Sequence, residues 1–192
     1  MKTEKALSIV FIISLIFKLM HWPGAGVLMV LSLTFLALCY FPFGFYFFSD
    51  KNFKNQKIGI SILFGWLLSI AIIGIEFKLM FWPGSQVMLL VGCMSAAVLL
   101  LAGFSLFKKS DEDLKNYHKN LFTRTVVIFV LAMICLLLPN SVLINHYYAN
   151  EPELKELYLK QQENPQDESI QKEIEEYHEK RFAQEEKSNE KK

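Results

Sequence analysis

Charged side chains are missing from long stretches of the first 150 residues of this 192-residue chain. Those 150 residues include only 6 Asp and Glu and 12 Lys and Arg, and these fall in clusters. A soluble domain of that length cannot bury so much Leu, Ile, Val and Phe, so the scarcity of charge excludes an ordinary soluble enzyme. The balanced net charge of +1 gives no indication of nucleic-acid binding.

Cysteine patterns and catalytic motifs are also lacking. The three cysteines, Cys39, Cys93 and Cys135, have no metal-type spacing and lie in apolar stretches, so no disulfide framework is predicted. The sequence has no glycine-rich phosphate loop, no H-E-x-x-H and no Ser/His/Asp grouping. We therefore predict no catalytic residues, no metal site and no cofactor, and we expect that the protein is not an enzyme.

The uncharged stretches predict an all-α membrane protein with five transmembrane helices. A spanning helix needs about 20 apolar residues, and these stretches are apolar on all faces, unlike a surface helix. We expect the first helix to be retained, because no small-x-small cleavage site follows it. The predicted spans are Ala6 to Met20 (interrupted by Lys18), Gly26 to Phe48, Ile58 to Met80, Gln86 to Phe107, and Thr125 to Ile144.

An internal repeat organises the first four helices. Residues 12–27 align without gaps on residues 72–87, and ten of the sixteen positions are identical at an offset of 60. Each copy predicts a helical hairpin, because the proline ends the first helix and the glycine allows the chain to reverse. The turn motif is His21, Trp22, Pro23 and Gly24 in one copy and Trp82, Pro83 and Gly84 in the other.

This repeat divides the chain into four parts. Each repeat contains two crossings, so we expect the hairpins to be related by a pseudo-two-fold axis along the membrane normal. The predicted parts are hairpin 1 (1–48), hairpin 2 (58–107), a fifth transmembrane helix (121–146) and a charged acidic tail (147–192). Pro42 and Pro139 are expected to kink or end helices.

The segment Phe17-Lys-Leu-Met-His-Trp-Pro-Gly24 resembles the helix–turn segment of the gliding-motility GldL family. The resemblance covers both hairpins, roughly residues 10–40 and 70–100. It implies an inner-membrane component of the machinery for gliding and type IX secretion, with the single-span protein GldM as partner. It also implies proton-driven work through an acid in the helix after the turn, yet residues 26–49 and 86–107 contain no Asp or Glu. The resemblance therefore implies that this chain has two copies of the hairpin scaffold.

Lysines in the short loops predict the orientation in a bacterial inner membrane. The basic segments all fall on one side, which should be the cytoplasm, together with the N-terminus. The tail from Asn145 onward should then be periplasmic, and residues 151–192 carry 13 acidic and 8 basic side chains. The basic loop residues are Lys2, Lys5, Lys51, Lys54, Lys57, Lys108, Lys109, Lys115 and Lys119.

Three ionisable residues within the spans form a candidate intramembrane ion pair or proton site: Glu76, Lys18 and Lys78. Such residues are costly in a membrane and suggest function. One interpretation is a buried Glu76–Lys18 ion pair that fixes the packing of the two hairpins, and the other is a protonatable site in an ion path. Lys78 projects about 200° away from Glu76 on its own helix and, like Lys18, is interpreted as an interfacial anchor. His21 is an interfacial anchor or a sensor of periplasmic pH.

The tail allows two interpretations. Helical pieces are predicted over Glu153–Gln162 and Asp167–Glu186, and the second piece has one apolar stripe for a partner or a second copy, formed by Ile170, Ile174, Tyr177 and Arg181. Alternatively, its composition favours a solvated and largely disordered segment.

Small residues in the spans include no G-x-x-x-G, so they indicate no particular oligomer interface: Gly59, Ser61, Gly65, Gly92, Ala96 and Gly103.

Two functional hypotheses follow. The first is a non-enzymatic membrane scaffold or subunit linked to gliding motility or type IX secretion. The second is a small proton- or ion-coupled channel or transporter that uses Glu76 and Lys18. The expected partners are the lipid bilayer, a single-span protein of GldM type and, in a homo-oligomer, further copies of the chain; nucleic acid is not expected.

Overall fold

The computed structural model describes residues 2–41 and 57–189, and every regular element in this part is an α-helix. The chain forms two compact units, Met1–Leu138 and Pro139–Lys192. Unit one contains α1 (Lys2–Leu19), α2 (Ala25–Tyr40), α3 (Ile58–Leu79), α4 (Ser85–Lys108) and α5 (Glu112–Leu137); unit two contains α6 (Asn140–Tyr147), α7 (Pro152–Glu163) and α8 (Glu168–Asn189).

Three of the described helices are long and apolar enough to cross a membrane. These are α3, α4 and α5, with mean hydropathies of 2.4, 2.5 and 2.2 over their most apolar windows. Helix α2 is apolar over 16 described residues, and the predicted continuation of that helix to Phe48, with Pro42, lies outside the described residues. The predicted all-α class is confirmed in the described residues, and five crossings stay a prediction.

Helix α3 lies at the centre of unit one. It contacts α2, α4 and α5, whereas α1 packs mainly on α2, and α5 also packs on α4. Side chains from four of these helices are almost completely buried in the shared core, among them Met29, Leu33, Leu68, Ile72, Leu89, Leu99 and Leu121. Large aliphatic side chains on the outer surface, such as Val98 and Leu101, stay exposed, as expected where lipid is the solvent.

Glycines allow α3 and α4 to approach closely. A Cβ added to Gly92 would lie 2.6 Å from the Cα of Ala71, and one added to Gly74 would lie 2.8 Å from the Cα of Leu89. Small residues permit such backbone contact between membrane helices. Gly92 therefore packs against another helix of its own chain, and a Cβ added to Gly103 would lie 3.5 Å from the rings of Phe64 and Phe122.

The predicted fifth helix over 121–146 is divided at Pro139. Helix α5 begins earlier, at Glu112, and ends at Leu137; Leu138 is extended, with φ −74° and ψ 120°. Proline lacks an N–H and disfavours the helical conformation of the preceding residue, so a new short helix starts at Asn140. The expectation that Pro139 ends a helix is confirmed, but the single helix to residue 146 is wrong.

Unit two is helical through most of the acidic tail. Pro152 occupies the first turn of α7, and before α8 the carboxylate of Asp167 accepts hydrogen bonds from the backbone N–H (2.9 Å) and the hydroxyl (2.6 Å) of Ser169. The apolar side chains that face each other are buried: Leu154, Tyr158, Ile170 and Ile174. Both predicted tail helices are confirmed, and the largely disordered alternative does not hold for residues 152–189.

Candidate functional site

The two Trp-Pro-Gly turns adopt the same conformation. Gly24 and Gly84 have φ values of 79° and 77°, and the preceding His21 and Phe81 have 58° and 57°. In each turn the tryptophan N–H donates to the carbonyl of the phenylalanine five residues earlier, at 2.9 Å and 3.0 Å, and the same two rings lie 4.6 Å and 4.9 Å apart. The positive φ of the two non-glycine residues was not expected, because this region disfavours residues with a Cβ.

Lys18 joins the end of α1 to the end of α3. Its ammonium donates to the carbonyl oxygen of Leu79 at 3.1 Å and lies 5.8 Å from the ring centroid of Phe81. The last carbonyls of a helix have no partner within the helix and carry partial negative charge, so a lysine stabilises them. Phe81 is 1% exposed, whereas His21, which occupies the same position of the other turn, is exposed.

Glu76 is paired with a hydroxyl group rather than with a lysine. Its side chain is 4% exposed, and the hydroxyl of Thr34 on α2 donates to Glu76 Oε1 at 2.8 Å. Thr34 itself is exposed. The structure therefore brings Glu76 to Thr34 and Lys18 to Leu79, and within residues 2–41 and 57–189 no ion pair joins Glu76 to Lys18.

Lys78 lies on a different side of α3 from Glu76. It is 2% exposed. Two residues two positions apart on a helix diverge by about 200°, and among the described residues Glu76, unlike Lys78, has a side-chain hydrogen bond to α2. The side chain is buried between helices instead of extending along an exposed helix surface as an interfacial anchor does.

A polar cluster that sequence reasoning missed lies near the N-terminus of α1. Arg124 of α5 forms an ion pair with Glu4 at 2.9 Å, with side chains 15% and 14% exposed. The hydroxyl of Tyr40, at the end of α2, also donates to Glu4. The sequence signal was present, because Glu4 is the one acid in α1 and Arg124 is the one arginine before the tail. The sequence could not show that Glu4 and Arg124 are partners, because they lie far apart in the chain.

A second polar cluster connects the ends of α3, α4 and α5. The Tyr117 hydroxyl donates to the carbonyl of Lys57 at 3.2 Å and lies 2.6 Å from the Ser61 hydroxyl. Ser110 Oγ lies 2.6 Å from Nδ1 of His118, whose other ring nitrogen is buried without a partner. Lys57 and the helix ends thus meet on the side where the basic loops are predicted.

The tail unit has its own polar contacts. Arg181 donates to Glu151 at 2.7 Å, and the rings of Tyr148 and Tyr158 stack 4.7 Å apart. Burial raises the pKa of both tyrosines. Burial and then the nearby Arg181 guanidinium lower the pKa of His178, whose Nε2 lies 3.4 Å from the Tyr158 hydroxyl. The neutral imidazole is therefore the form that suits this packing.

In the part of the chain that the structure describes, no group of three or more His, Cys, Asp or Glu side chains is arranged to hold a metal ion. Comparison of the chain with protein-family models, curated proteins and solved structures found no match. The resemblance of the two hairpins to the GldL family therefore stays a prediction.

Proposed function

We propose that this chain is a non-enzymatic, multi-pass scaffold or subunit of a bacterial inner membrane, with GldL-like hairpins, linked to gliding motility or type IX secretion. Five helices cross the bilayer, the N-terminus and basic loops are cytoplasmic, and the acidic tail is periplasmic. The hairpins hold the chain in the membrane, and the tail unit presents a charged helical surface to partners.

The contacts of Lys18 and Glu76 carry this proposal. Each residue is bound to a different helix from its own: Lys18 of α1 to the Leu79 carbonyl of α3, and Glu76 of α3 to Thr34 of α2. Polar contacts between membrane helices fix the packing of those helices. Both residues thus have structural partners, which supports a role in holding the hairpins together.

The tail supports a partner-binding role. A groove of about 540 Å³ lies between α7 and α8, and charged residues line most of it, including Glu153, Glu173 and Lys180. Such a surface suits a polar partner in the periplasm, whereas the hairpins contact lipid. The partner expected from the resemblance is a single-span protein of GldM type.

Affinity purification from native membranes tests this proposal. The tagged chain should recover a component of the gliding or secretion machinery, and the double variant Glu153→Lys/Glu173→Lys should recover less of it. Glu179→Lys is the matched control, because Glu179 is exposed and does not line the groove. Recovery of no such component from the unmodified chain would contradict the proposal.

Topology has a separate test. Lys160 of α7 has a side chain that is 54% exposed, so Lys160→Cys should react with a membrane-impermeant thiol reagent in intact spheroplasts. Protection at this position, with labelling only after lysis, would place the tail in the cytoplasm and reverse the proposed orientation.

A second candidate function is a small proton- or ion-coupled channel or transporter. The observation that favours it is the buried Glu76 carboxylate bound to an exposed hydroxyl, Thr34, since a carboxylate at this depth could exchange a proton along such a contact. In proteoliposomes, Glu76→Gln and Lys18→Met should then abolish the proton or ion flux, and the control variant Val98→Ala should not. Unchanged flux in Glu76→Gln would eliminate this function.

A further inference from the structure

Helices α7 and α8 carry the same charge motif, twenty positions apart in the chain. Residues 153–160 read Glu-x-x-Glu-Leu-x-x-Lys, and residues 173–180 read Glu-x-x-Glu-Tyr-x-x-Lys. The spacing i, i+3, i+4 and i+7 places the four named residues of each motif on one face of its helix. These two faces, together with Arg181, line the groove between the helices, which is called the tail groove here.

The tail groove has an apolar centre. Arg181 contacts Glu151, which directly precedes α7, so the two helices run in opposite directions. Leu157 and Tyr177 are the apolar residues of the two motifs, and both are half-buried. Because each lies near the middle of its motif, the two side chains lie near the middle of the groove and the charged residues lie toward its ends.

Ion pairs leave two carboxylates of the tail groove without a basic partner. The pairs are Lys160 with Glu156 at 2.9 Å, Lys180 with Glu176 at 3.7 Å and Arg181 with Glu151 at 2.7 Å. Each basic lining residue thus already has an acidic partner, whereas Glu153 and Glu173 form no ion pair among the described residues. With Glu151 included, five Glu and three basic side chains give the groove a net charge of −2.

The two unpaired carboxylates lie toward opposite ends of the tail groove. Glu153 is in the first turn of α7, and the end of the α8 motif is beside that turn, since Arg181 follows Lys180 and contacts Glu151. Glu173 precedes Lys180 by seven residues. A helix rises 1.5 Å per residue, so the two carboxylates are about 10 Å apart along the groove.

Helix α6 covers a different side of α7. Asn140 of α6 donates a hydrogen bond to Gln162, and Gln162 diverges by about 200° from Lys160 on the surface of α7. Residues 140–147 of α6 are all described, and none of them lines the tail groove. The groove is therefore open to a helix from outside unit two.

The charge of the tail groove selects among the possible occupants. A second copy of the chain would bring the same net charge of −2 to the contact, and like charges across an interface disfavour association. A basic partner instead neutralises Glu153 and Glu173. Net charge thus favours a cationic segment of another protein over a second tail.

A helix with two basic residues on one face fits the tail groove. Residues seven positions apart lie on the same side of a helix and about 10 Å apart along its axis, which matches the separation of Glu153 and Glu173. An apolar residue between them then lies over Leu157 and Tyr177. Amphipathic helices bind grooves through such anchors at i, i+4 and i+7.

We propose that the tail groove binds an amphipathic helix of another protein, with Lys or Arg at positions i and i+7 and an apolar residue at i+4. The basic side chains pair with Glu153 and Glu173, and the apolar side chain covers the centre of the groove. This inference rests on the partner-binding role of the tail in the proposed function and specifies the chemistry of the partner. It does not depend on which machinery supplies that partner.

A stapled helical peptide tests the tail groove. The probe has about 20 residues, with Lys at i and i+7, Leu at i+4 and Ala or Gln elsewhere, and it carries a fluorescent label. Fluorescence anisotropy measures its Kd for the full chain in nanodiscs of zwitterionic lipid, which has no net charge. A matched peptide of the same composition has the second Lys at i+5, which places the two lysines about 140° apart and should bind more weakly.

Two double variants of the chain locate the binding. Glu153→Gln/Glu173→Gln should raise the Kd of the probe about 3–30-fold, as expected for the loss of two exposed ion pairs. Glu175→Gln/Glu179→Gln is the matched control, because both residues are exposed on α8 and lie outside the groove. It removes the same charge from the tail and should leave the Kd nearly unchanged.

Charge reversal separates lost binding from lost folding. Glu153→Lys/Glu173→Lys makes the tail groove basic, so this variant should lose the Lys probe and bind a peptide that has Glu at i and i+7. An unfolded tail would bind neither peptide. A switch of preference from the Lys peptide to the Glu peptide therefore supports recognition by a folded groove.

Three results would overturn the inference. Equal affinity of the two lysine peptides would indicate attraction by overall charge alone. Equal Kd values for the two Gln variants would place the binding site outside the tail groove. Absence of binding to the unmodified chain would leave the groove to a second copy or to solvent.

The peptide assay and the affinity purification can fail separately. Binding of the probe, without recovery of a gliding or secretion component, would contradict only the link to that machinery. Recovery of such a component, without binding of the probe, would contradict only the helix chemistry inferred for the tail groove.

Discussion

Replacing Gly92 with alanine is expected to separate α3 from α4. The added Cβ would lie 2.6 Å from the Cα of Ala71 and 3.2 Å from its nitrogen, whereas carbon atoms pack best about 3.5–4.0 Å apart. The backbones would have to move apart by about 1 Å, since neither atom belongs to a flexible side chain. Overpacking of this kind costs about 1–3 kcal/mol.

Gly103 in the same helix provides the matched control. A Cβ at Gly103 would be 3.5 Å from the rings of Phe64 and Phe122, which is an ordinary contact. Both substitutions gain about 1 kcal/mol of helix propensity, so this gain cancels in the comparison. Gly92→Ala should therefore lower the free energy of unfolding by about 1–3 kcal/mol relative to Gly103→Ala.

Reversible unfolding in mixed micelles of increasing SDS fraction measures this difference. Gly74→Ala provides a second instance, because its Cβ would lie 2.8 Å from the Cα of Leu89, and it should also be less stable than Gly103→Ala. If Gly92→Ala and Gly74→Ala both unfold at the same SDS fraction as Gly103→Ala, the close approach of α3 and α4 is not as described.

Three further outcomes are expected. Lys18→Met keeps the apolar stem but removes the hydrogen bond to Leu79. It should therefore lower the free energy of unfolding in the same assay by about 1.5–3 kcal/mol, the usual contribution of a hydrogen bond to a charged group. An unchanged unfolding curve would show that this contact contributes nothing. Glu4→Gln weakens the ion pair with Arg124 and should increase amide hydrogen exchange at the start of α1, and equal exchange in both proteins would refute this. The lowered pKa of His178 favours the neutral imidazole in the fold, so this contribution to tail stability is complete above the ordinary pKa of 6.5 and is lost as the pH falls below it. Exchange of the α7 and α8 amides, corrected for intrinsic rates, should rise between pH 7.5 and pH 5.5, less so in His178→Asn, and an equal rise in both would assign the effect to other groups.

Local signals in the sequence predicted several features of the fold correctly. Pro139 ended a helix as expected, since the ring excludes the helical conformation before it. Pro152 and Asp167 marked the starts of the two tail helices, because both act within one turn of their own position. Gly24 and Gly84 have the positive φ that a reversal needs. Each of these effects depends on neighbours in the chain.

Contacts between helices could not be predicted in the same way. Helix geometry correctly separated Glu76 from Lys78, but it could not show which neighbouring helix would face each residue. Lys18 and Thr34 both belong to the first hairpin, and packing placed Thr34 at Glu76. Arg124 and Glu4 lie 120 positions apart, and no periodicity relates them.

The sequence alone determined the helical class and the presence of helices long and apolar enough to cross a membrane, because long uncharged stretches have few stable alternatives and because proline, glycine and capping residues act locally. Among residues 2–41 and 57–189, tertiary structure alone decided which polar groups pair, where backbones touch and which side chains of α1 are exposed. Those outcomes depend on the rotation and separation of whole helices. Two hairpins with nearly identical turns can thus bury one helix, α3, and leave much of its counterpart, α1, exposed, because among the described helices α3 packs against α2, α4 and α5 whereas α1 packs mainly on α2.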